Sequence, residues 1–513
     1  MLALVLLLLA LVTLAQAMRA RRRRRPGEPP LVQGWIPFLG KALDFGRDAV
    51  SFLEDLRRKH GDVFTVLIAG RYMTFIMNPL HFPVIVKHGR YMDFHEFTNV
   101  VSAHAFGYTP VTAERFPGVM DQINNTFKLL QGPHLPHLTE NMTRNLLLVF
   151  REEHLSRGQS PEWKISHLHD FCLTVALEVG FMTLYGRSPS DHRLKDLQNI
   201  KQDFLCFDQK FPLLMAKVPL WLLGDVRSAR QRLIERFSSS VMSDSSDLSL
   251  FVQRRRLLFH QHGISDHDAA GQHWALFWAS VGNTSPSMFW CLFHLLRHQE
   301  ALRAVRAELQ ELMSQEGLRP DPDLVLTEEQ LDRLVVLGSV LSESLRLSSM
   351  SLNVRVVLED FSLRLDQTST WSIRKGDMIT MCPHSAQLDP EIYPEPKSFQ
   401  FDRYLDDGKE KLDFYKSGQR LKYHLMPFGS GATMCPGRFL ALHQIKQFVC
   451  LLLLHLDVEL CDPDADVPLD LSRAGLGIMH PAHDVRFRYR PRRPLQADAE
   501  TAAETTARTT ART

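Results

Sequence analysis

The stretch MPFGSGATMCPGRFLALHQIKQF, residues 426–448, sets one cysteine between a glycine-bearing loop and a segment with helical patterning. A lone cysteine is ordinarily a small buried apolar side chain, but the neighbours here point to chemistry. Gly429 and Gly431 permit a tight loop and the close approach of a flat ligand. Pro436 suits the first position of a helix. That would put Cys435 at a helix N-terminus, where the dipole favours a thiolate. A thiolate so placed is an axial ligand for haem iron, donating electron density that favours O–O cleavage. Gly437 leaves room for a porphyrin beside the helix.

The pattern Phe428-x-x-Gly431-x-x-x-Cys435-x-Gly437 resembles the haem-binding signature of the cytochromes P450. Three further motifs stand in the order that resemblance requires. Glu343 and Arg346, in SESLRL, lie three apart and so share one face of a helix. Arg403, in FQFDRY, matches the third member of the family's structural triad, in which one carboxylate sits between two guanidiniums. Residues 277–286, FWASVGNTSP, resemble the distal helix that crosses the haem, and Thr284 matches the threonine that hydrogen-bonds dioxygen and helps deliver protons. Pro286 adds an argument of its own. It has no N–H to donate to the Gly282 carbonyl, so the helix is expected to open there.

The resemblance implies haem b, with Cys435 as the axial ligand of the iron and Phe428, Gly431, Gly437 and Arg355 around it, Arg355 on a propionate. It implies Thr284 and Asn283 as catalytic residues. Trp278, Ala279, Val281 and Asn283 on the distal helix, with Leu352 and Ile478, are the expected substrate pocket. Electrons would come from NADPH through the flavins of NADPH-cytochrome P450 reductase. Two positions depart from the family pattern. Asn283 replaces the acid that usually precedes the threonine, so water must carry the proton, or Asn283 contacts substrate instead. Thr433 replaces a propionate-binding arginine or histidine, which places more weight on Arg355.

The finer likeness is to the branch holding sterol 7α-hydroxylases, sterol 12α-hydroxylase and prostacyclin synthase. IKQDFLCFDQKFPLL and VPLWLLGDVRSARQRLIERFSS are most similar to oxysterol 7α-hydroxylase, whereas LRLSSMSLNVR and SRAGLGI are closer to cholesterol 7α-hydroxylase. The variable middle segments tip the reading to the oxysterol enzyme. The implied activity is 7α-hydroxylation of a sterol or oxysterol in cholesterol, bile acid and steroid metabolism. The alternatives within the branch are cholesterol 7α-hydroxylase or sterol 12α-hydroxylase; outside the monooxygenases the alternative is a haem-thiolate isomerase resembling prostacyclin synthase, which Asn283 would suit, while Thr284 favours hydroxylation.

These residues need a large scaffold, and the chain supplies one. At 513 residues, 44% hydrophobic and 23% charged, it affords a substantial core. A net charge of +2 gives no ground for a nucleic-acid partner. The seven cysteines are scattered and unpaired in CxxC motifs, which argues against a disulfide framework or a structural zinc. Residues 1–18 carry no charge and would span about 27 Å as a helix. Arginines at 19 and 21–25 follow directly, so a single-pass anchor in the endoplasmic reticulum membrane with a cytosolic body is expected. A basic, proline-rich linker is expected over 19–40, a catalytic domain over 41–492 and a disordered low-complexity tail over 493–513. Lys409, Lys411, Lys416, Arg420, Lys422, Arg438 and Lys446 flank the cysteine loop and are expected to form the reductase-docking face. Strands are expected about a turn at 69–71 and over 483–490, and helices over 300–315 and after a Thr327 cap. The fold class expected is mainly α with small β-sheets, one large domain of the cytochrome P450 kind.

Overall fold

Alternating β-branched and aromatic residues build the sheet at one end of the molecule. A computed structural model describes residues 22–154, 162–187, 193–243, 247–319 and 324–492; the anchor expected over 1–18 and the tail over 493–513 lie outside these. The strands used below are β1 (Leu31–Val32), β2 (Val63–Ile68), β3 (Arg71–Ile76), β4 (Met92–Asp93), β5 (Ser349–Ser351), β6 (Asn353–Val357), β7 (Met378–Met381) and β8 (Leu476–Ile478). Six of them form one sheet in the order β1-β2-β3-β7-β6-β4, and β5 pairs with β8. Ala69 and Gly70, at φ 46° and 78°, make the tight turn between β2 and β3.

The helices that matter are α1 (Leu168–Tyr185), α2 (Arg193–Gln209), α3 (Leu250–Gln261), α4 (Asp266–Gly282), α5 (Thr284–Arg297), α6 (Val335–Ser348) and α7 (Arg438–His455). Helix α5 is apolar nearly all round, so it belongs at the centre, and it packs on α1, α6 and α7. Among the described residues only α1 is long and apolar enough to cross a membrane, and most of it is buried inside the body as core. Thr327 and Gln330 form a capping box that starts the short helix before α6. The strand expected from 483 begins at Arg486. Asp484 is occupied instead by capping α1, accepting from the backbone N–H groups of His169 and Asp170 at 2.7 and 2.9 Å.

From residue 22 onward the expected linker is part of the folded body. Arg22 donates to both oxygens of Asp377 at 2.7 Å, Arg374 pairs with Glu28, and β1 lies parallel to β2. Glu28 is 2% exposed. A buried carboxylate needs cations, and the arginine run supplies them.

Candidate active site

The cysteine loop is pinned by its own backbone. The Cys435 N–H donates to the Phe428 carbonyl at 2.8 Å. Gly429 and Gly431 hold φ of 77° and 63°, and a Cβ on Gly431 would stand 2.6 Å from Val86 Cγ1. A Cβ on Gly437 would meet nothing within 4 Å, so that side of the loop is open. Helix α7 begins at Arg438 with Gly437 as its cap, not at Pro436. Cys435 therefore precedes the helix instead of sitting in its first turn, and the expected dipole effect is replaced by closer ones. Burial raises the thiol pKa, while the Gly437 N–H and the Arg438 charge pull it down.

Cys435 opens onto a cavity of about 680 Å³, and the Thr284 hydroxyl lies on another wall of it. Thr284 is 5% exposed and its hydroxyl has no protein partner among the described residues. It heads α5, because the distal helix is broken into α4 and α5 at Asn283, next to the Gly282 carbonyl that Pro286, four residues on, cannot bond. His480 Nε2 reaches that carbonyl at 3.3 Å.

Asn283 does not line the cavity. Its Oδ1 accepts from the Ile478 N–H at 3.0 Å, tying the helix break to β8. Trp278 and Ala279 do line the cavity. Trp278 donates to Asp208 Oδ1 at 2.8 Å, and Asp208 also pairs with Arg473 at 3.0 Å. Val281, with Trp274 and Phe277, occupies another face of α4, where Val281 Cγ2 lies 3.6 Å from the Cβ position of Gly180 on α1. Spacings of three and four residues set these three on one face, opposite Ala279, with Trp278 at its edge. Leu352 packs beside Gly475, and Ile478 is 6% exposed in the core; neither lines the cavity.

Arg355, on β6, donates to Thr433 Oγ1 at 2.5 Å and to the Ser430 carbonyl at 3.3 Å. No carboxylate lies within ion-pair distance of it among the described residues, and burial lowers its pKa. Thr433 thus receives the guanidinium in the place where a cation was missing. An open thiol, an unneutralised guanidinium beside it, and the open space at Gly437 are the features a haem dianion with a thiolate ligand needs. The residues present fit that group.

The triad is closed. Arg346 donates to Glu343 at 2.7 and 2.8 Å, and Arg403 donates to it at 2.9 Å. The Gln387 and Pro396 carbonyls accept from Arg346 at 2.6 Å, and the Pro394 carbonyl from Arg403 at 2.7 Å. The Tyr393 ring lies 5.0 Å from the Arg346 guanidinium.

The basic cluster is partly spent. Lys446 is buried and donates to the Leu331 and Leu334 carbonyls at 2.7 and 3.2 Å, so it faces inward along α7 and not toward the surface. Lys416 pairs with Asp389 and Glu391, and Arg420 with Asp413. Lys409 and Lys422 are exposed.

Sequence reasoning missed part of the cavity wall. Tyr108, Phe127, Arg255 and Gln272 come from segments without a motif. One signal was present. In LFVQRRRLLFHQ the apolar positions Phe251, Val252, Leu258 and Phe259 share a helix face with Arg255, a charge where an apolar residue belongs.

A sequence profile of the cytochrome P450 family matches residues 29–487. The chain is similar to cholesterol 7-alpha-monooxygenase of Cricetulus griseus, 42% identical over 90% of this chain and 94% of that protein. It is similar to cytochrome P450 7B1 of Mus musculus, 37% identical over 91% of each. Among solved structures it resembles retinoic acid bound cyanobacterial CYP120A1, with a TM-score of 0.69 and 18% identity over 91% of this chain and 99% of that one.

Proposed function

This chain belongs to the cytochrome P450 family, and from that premise we propose that it hydroxylates a sterol or oxysterol at the 7α position. The observation that carries the reading is the pairing in one cavity of the open Cys435 thiol with the unpartnered Thr284 hydroxyl. The name of the relative cholesterol 7-alpha-monooxygenase supplies the substrate class and the position.

Haem b, when bound, supplies the dioxygen activation, and NADPH-cytochrome P450 reductase supplies the electrons. Cys435 would provide the sulfur ligand, and the Gly437 N–H and the Arg438 charge favour its thiolate against the raising effect of burial. Arg355, steadied by Thr433, neutralises a propionate. Thr284 holds a proton at its hydroxyl and passes protons on from water. Asn283 is engaged with β8, so no titrating acid stands beside Thr284. Trp278 and Ala279 bound the substrate on the distal side.

The body sits on the endoplasmic reticulum membrane by a single N-terminal span, facing the cytosol. Trp35, Phe38, Trp221 and Leu222, exposed at 80, 71, 76 and 57%, suit contact with lipid. Lys409, Lys411, Lys422 and Arg438 are the cations left for reductase docking.

The test is a product assay in microsomes with the reductase and NADPH, offering cholesterol, 25-hydroxycholesterol and 27-hydroxycholesterol in parallel. NADPH-dependent 7α-hydroxylated product, absent from Cys435→Ala, supports the proposal. Preference for the side-chain hydroxylated sterols selects the oxysterol reaction, and preference for cholesterol selects the other. Product at C12 corrects the position. No product from any sterol, with a normal reduced carbon monoxide spectrum, overturns it.

A further inference from the structure

Arg255 lies in the wall of the same cavity and is 2% exposed. Its guanidinium is ringed by Phe259, Phe127 and Phe251 at 5.0, 5.4 and 5.6 Å. It donates to Thr126 Oγ1 at 3.2 Å and to Gln272 Oε1 at 3.3 Å. Its Nε has no partner, and neither has Gln272 Nε2. No carboxylate lies within ion-pair distance among the described residues. The neighbouring titratable groups are the phenols of Tyr185 and Tyr108, raised by burial, and the ring of His273, held well below its usual value by burial and the nearby arginines, so all three are uncharged at neutral pH. Burial lowers the Arg255 pKa to about 10, which still leaves the cation charged.

A buried, unneutralised cation costs several kcal/mol. Met or Leu would fill the same helix face without that cost. Two donors, one charged, have no acceptor among the described residues on the border of an apolar cavity. The subsite is also well separated along the distal helix. Gln272 stands ten residues before Gly282 on α4, about 15 Å at 1.5 Å per residue.

We propose that Arg255 and Gln272 form a subsite for an anionic oxygen group of the substrate, so that the protein favours acidic steroids, carrying a carboxylate or sulfate, over neutral ones. The inference rests on the steroid reading above and deepens it. Phe127, Phe251 and Phe259 exclude water around the contact, which strengthens a charged hydrogen bond. Arg355, by contrast, sits on the cysteine loop with Thr433 and Ser430 and serves the cofactor's carboxylate.

The test uses the full-length haem-loaded protein and follows the Soret spin-state change on titration. The probes are cholesterol, 27-hydroxycholesterol, 3β-hydroxy-5-cholestenoic acid and cholesterol 3-sulfate. One of the two acids is expected to bind at least about tenfold tighter than its neutral parent, as a charge-assisted hydrogen bond requires. Which acid it is shows whether the steroid's side chain or its C3 end meets Arg255. In Arg255→Met the acid-to-neutral ratio should collapse toward one, and Arg255→Lys should retain part of it. Equal affinities in the unmodified protein overturn the inference, as does a ratio that survives Arg255→Met. Loss of haem from Arg255→Met with the acids no tighter than neutral sterols in the unmodified protein assigns the guanidinium to a propionate instead. Should that variant not retain haem, the unmodified protein's ratio decides alone. If no sterol of either charge shifts the spectrum while imidazole does, the steroid reading itself fails and this inference with it. Neutral sterols binding without preference for acids sinks only the inference.

Discussion

Arg346 and Arg255 are both buried arginines on helices, 0% and 2% exposed, and they differ in what surrounds them. Arg346 has Glu343 in two hydrogen bonds and backbone carbonyls on its remaining N–H groups. Arg255 has three phenyl rings, a hydroxyl and an amide oxygen, and no anion. The first arrangement is complete within the protein, so it locks α6 to the segment that carries Arg403. The second is incomplete without a ligand. Equal burial therefore separates a structural cation from a binding one only when the counterion is traced.

The strongest way to break this contrast is to remove one charge from each site. Glu343→Ala leaves two buried guanidiniums unneutralised and should cost about 3–5 kcal/mol. Little folded, haem-loaded protein should accumulate, read from the reduced carbon monoxide spectrum and the denaturant midpoint. Arg255→Met should change stability by less than about 1 kcal/mol or raise it. A loss as large as that of Glu343→Ala would make Arg255 structural and dissolve the distinction.

Within the cavity, Thr284→Val keeps shape and removes the hydroxyl. Product formation should fall roughly a hundredfold while haem content stays unchanged, because only proton handling is lost. Comparable turnover would mean that protons enter without Thr284. Trp278→Phe should cost about 1–2 kcal/mol by leaving a buried acceptor on Asp208 short of a donor. Thermal unfolding would register it, and an unchanged midpoint would show that Arg473 satisfies Asp208 unaided.

The smallest effect is a pH dependence. His384 and His424 are both lowered to about 4, chiefly because burial disfavours the charged ring. Their unfolded values are about 6.5. Between those limits the unfolded chain binds more protons, so stability rises with pH and is lost as pH falls from about 6.5 to 4. Each histidine contributes up to about 1.4 kcal/mol per pH unit there. His424 hydrogen-bonds Tyr393, whose ring backs the triad, at 2.9 Å. His424→Phe should flatten the acid limb of the stability curve by one histidine's share, measured by urea unfolding at stepped pH. An unchanged limb would mean that His424 takes up its proton as readily in the folded protein as in the unfolded chain. Arg255, at about 10, does not titrate in that window, so its preference for a sulfate, which also stays ionised there, should stay level while the triad region weakens.

Residues whose chemistry demands one side chain at one spacing were legible in the sequence: Cys435, the Glu343, Arg346 and Arg403 set, and Thr284 with the break that Pro286 forces. Apolar pocket residues were not. Periodicity assigns a residue to a helix face but not to a partner, so Val281 was expected in the cavity and packs on α1 instead. Asn283 was read as chemical, yet its amide is used by a backbone N–H from β8, far off in sequence. Lys446 was counted on the surface because a charge run hides the one member that turns inward to cap carbonyls. The start of α7 slipped by two residues because Pro436 is equally at home in the turn before a helix. Whole-chain identity is higher to the cholesterol enzyme, 42% against 37% for 7B1, although the middle segments read closer to the oxysterol one.

Arg22 is held by Asp377 and Glu28 and lies over the Tyr72 ring at 4.7 Å, while the Arg23 carbonyl accepts from Arg374 at 2.8 Å. The folded body thus grips the chain at Arg22 and Arg23, by side chain and by backbone. A segment pinned both ways has no slack, so its direction as well as its position is fixed against the sheet that β1 joins.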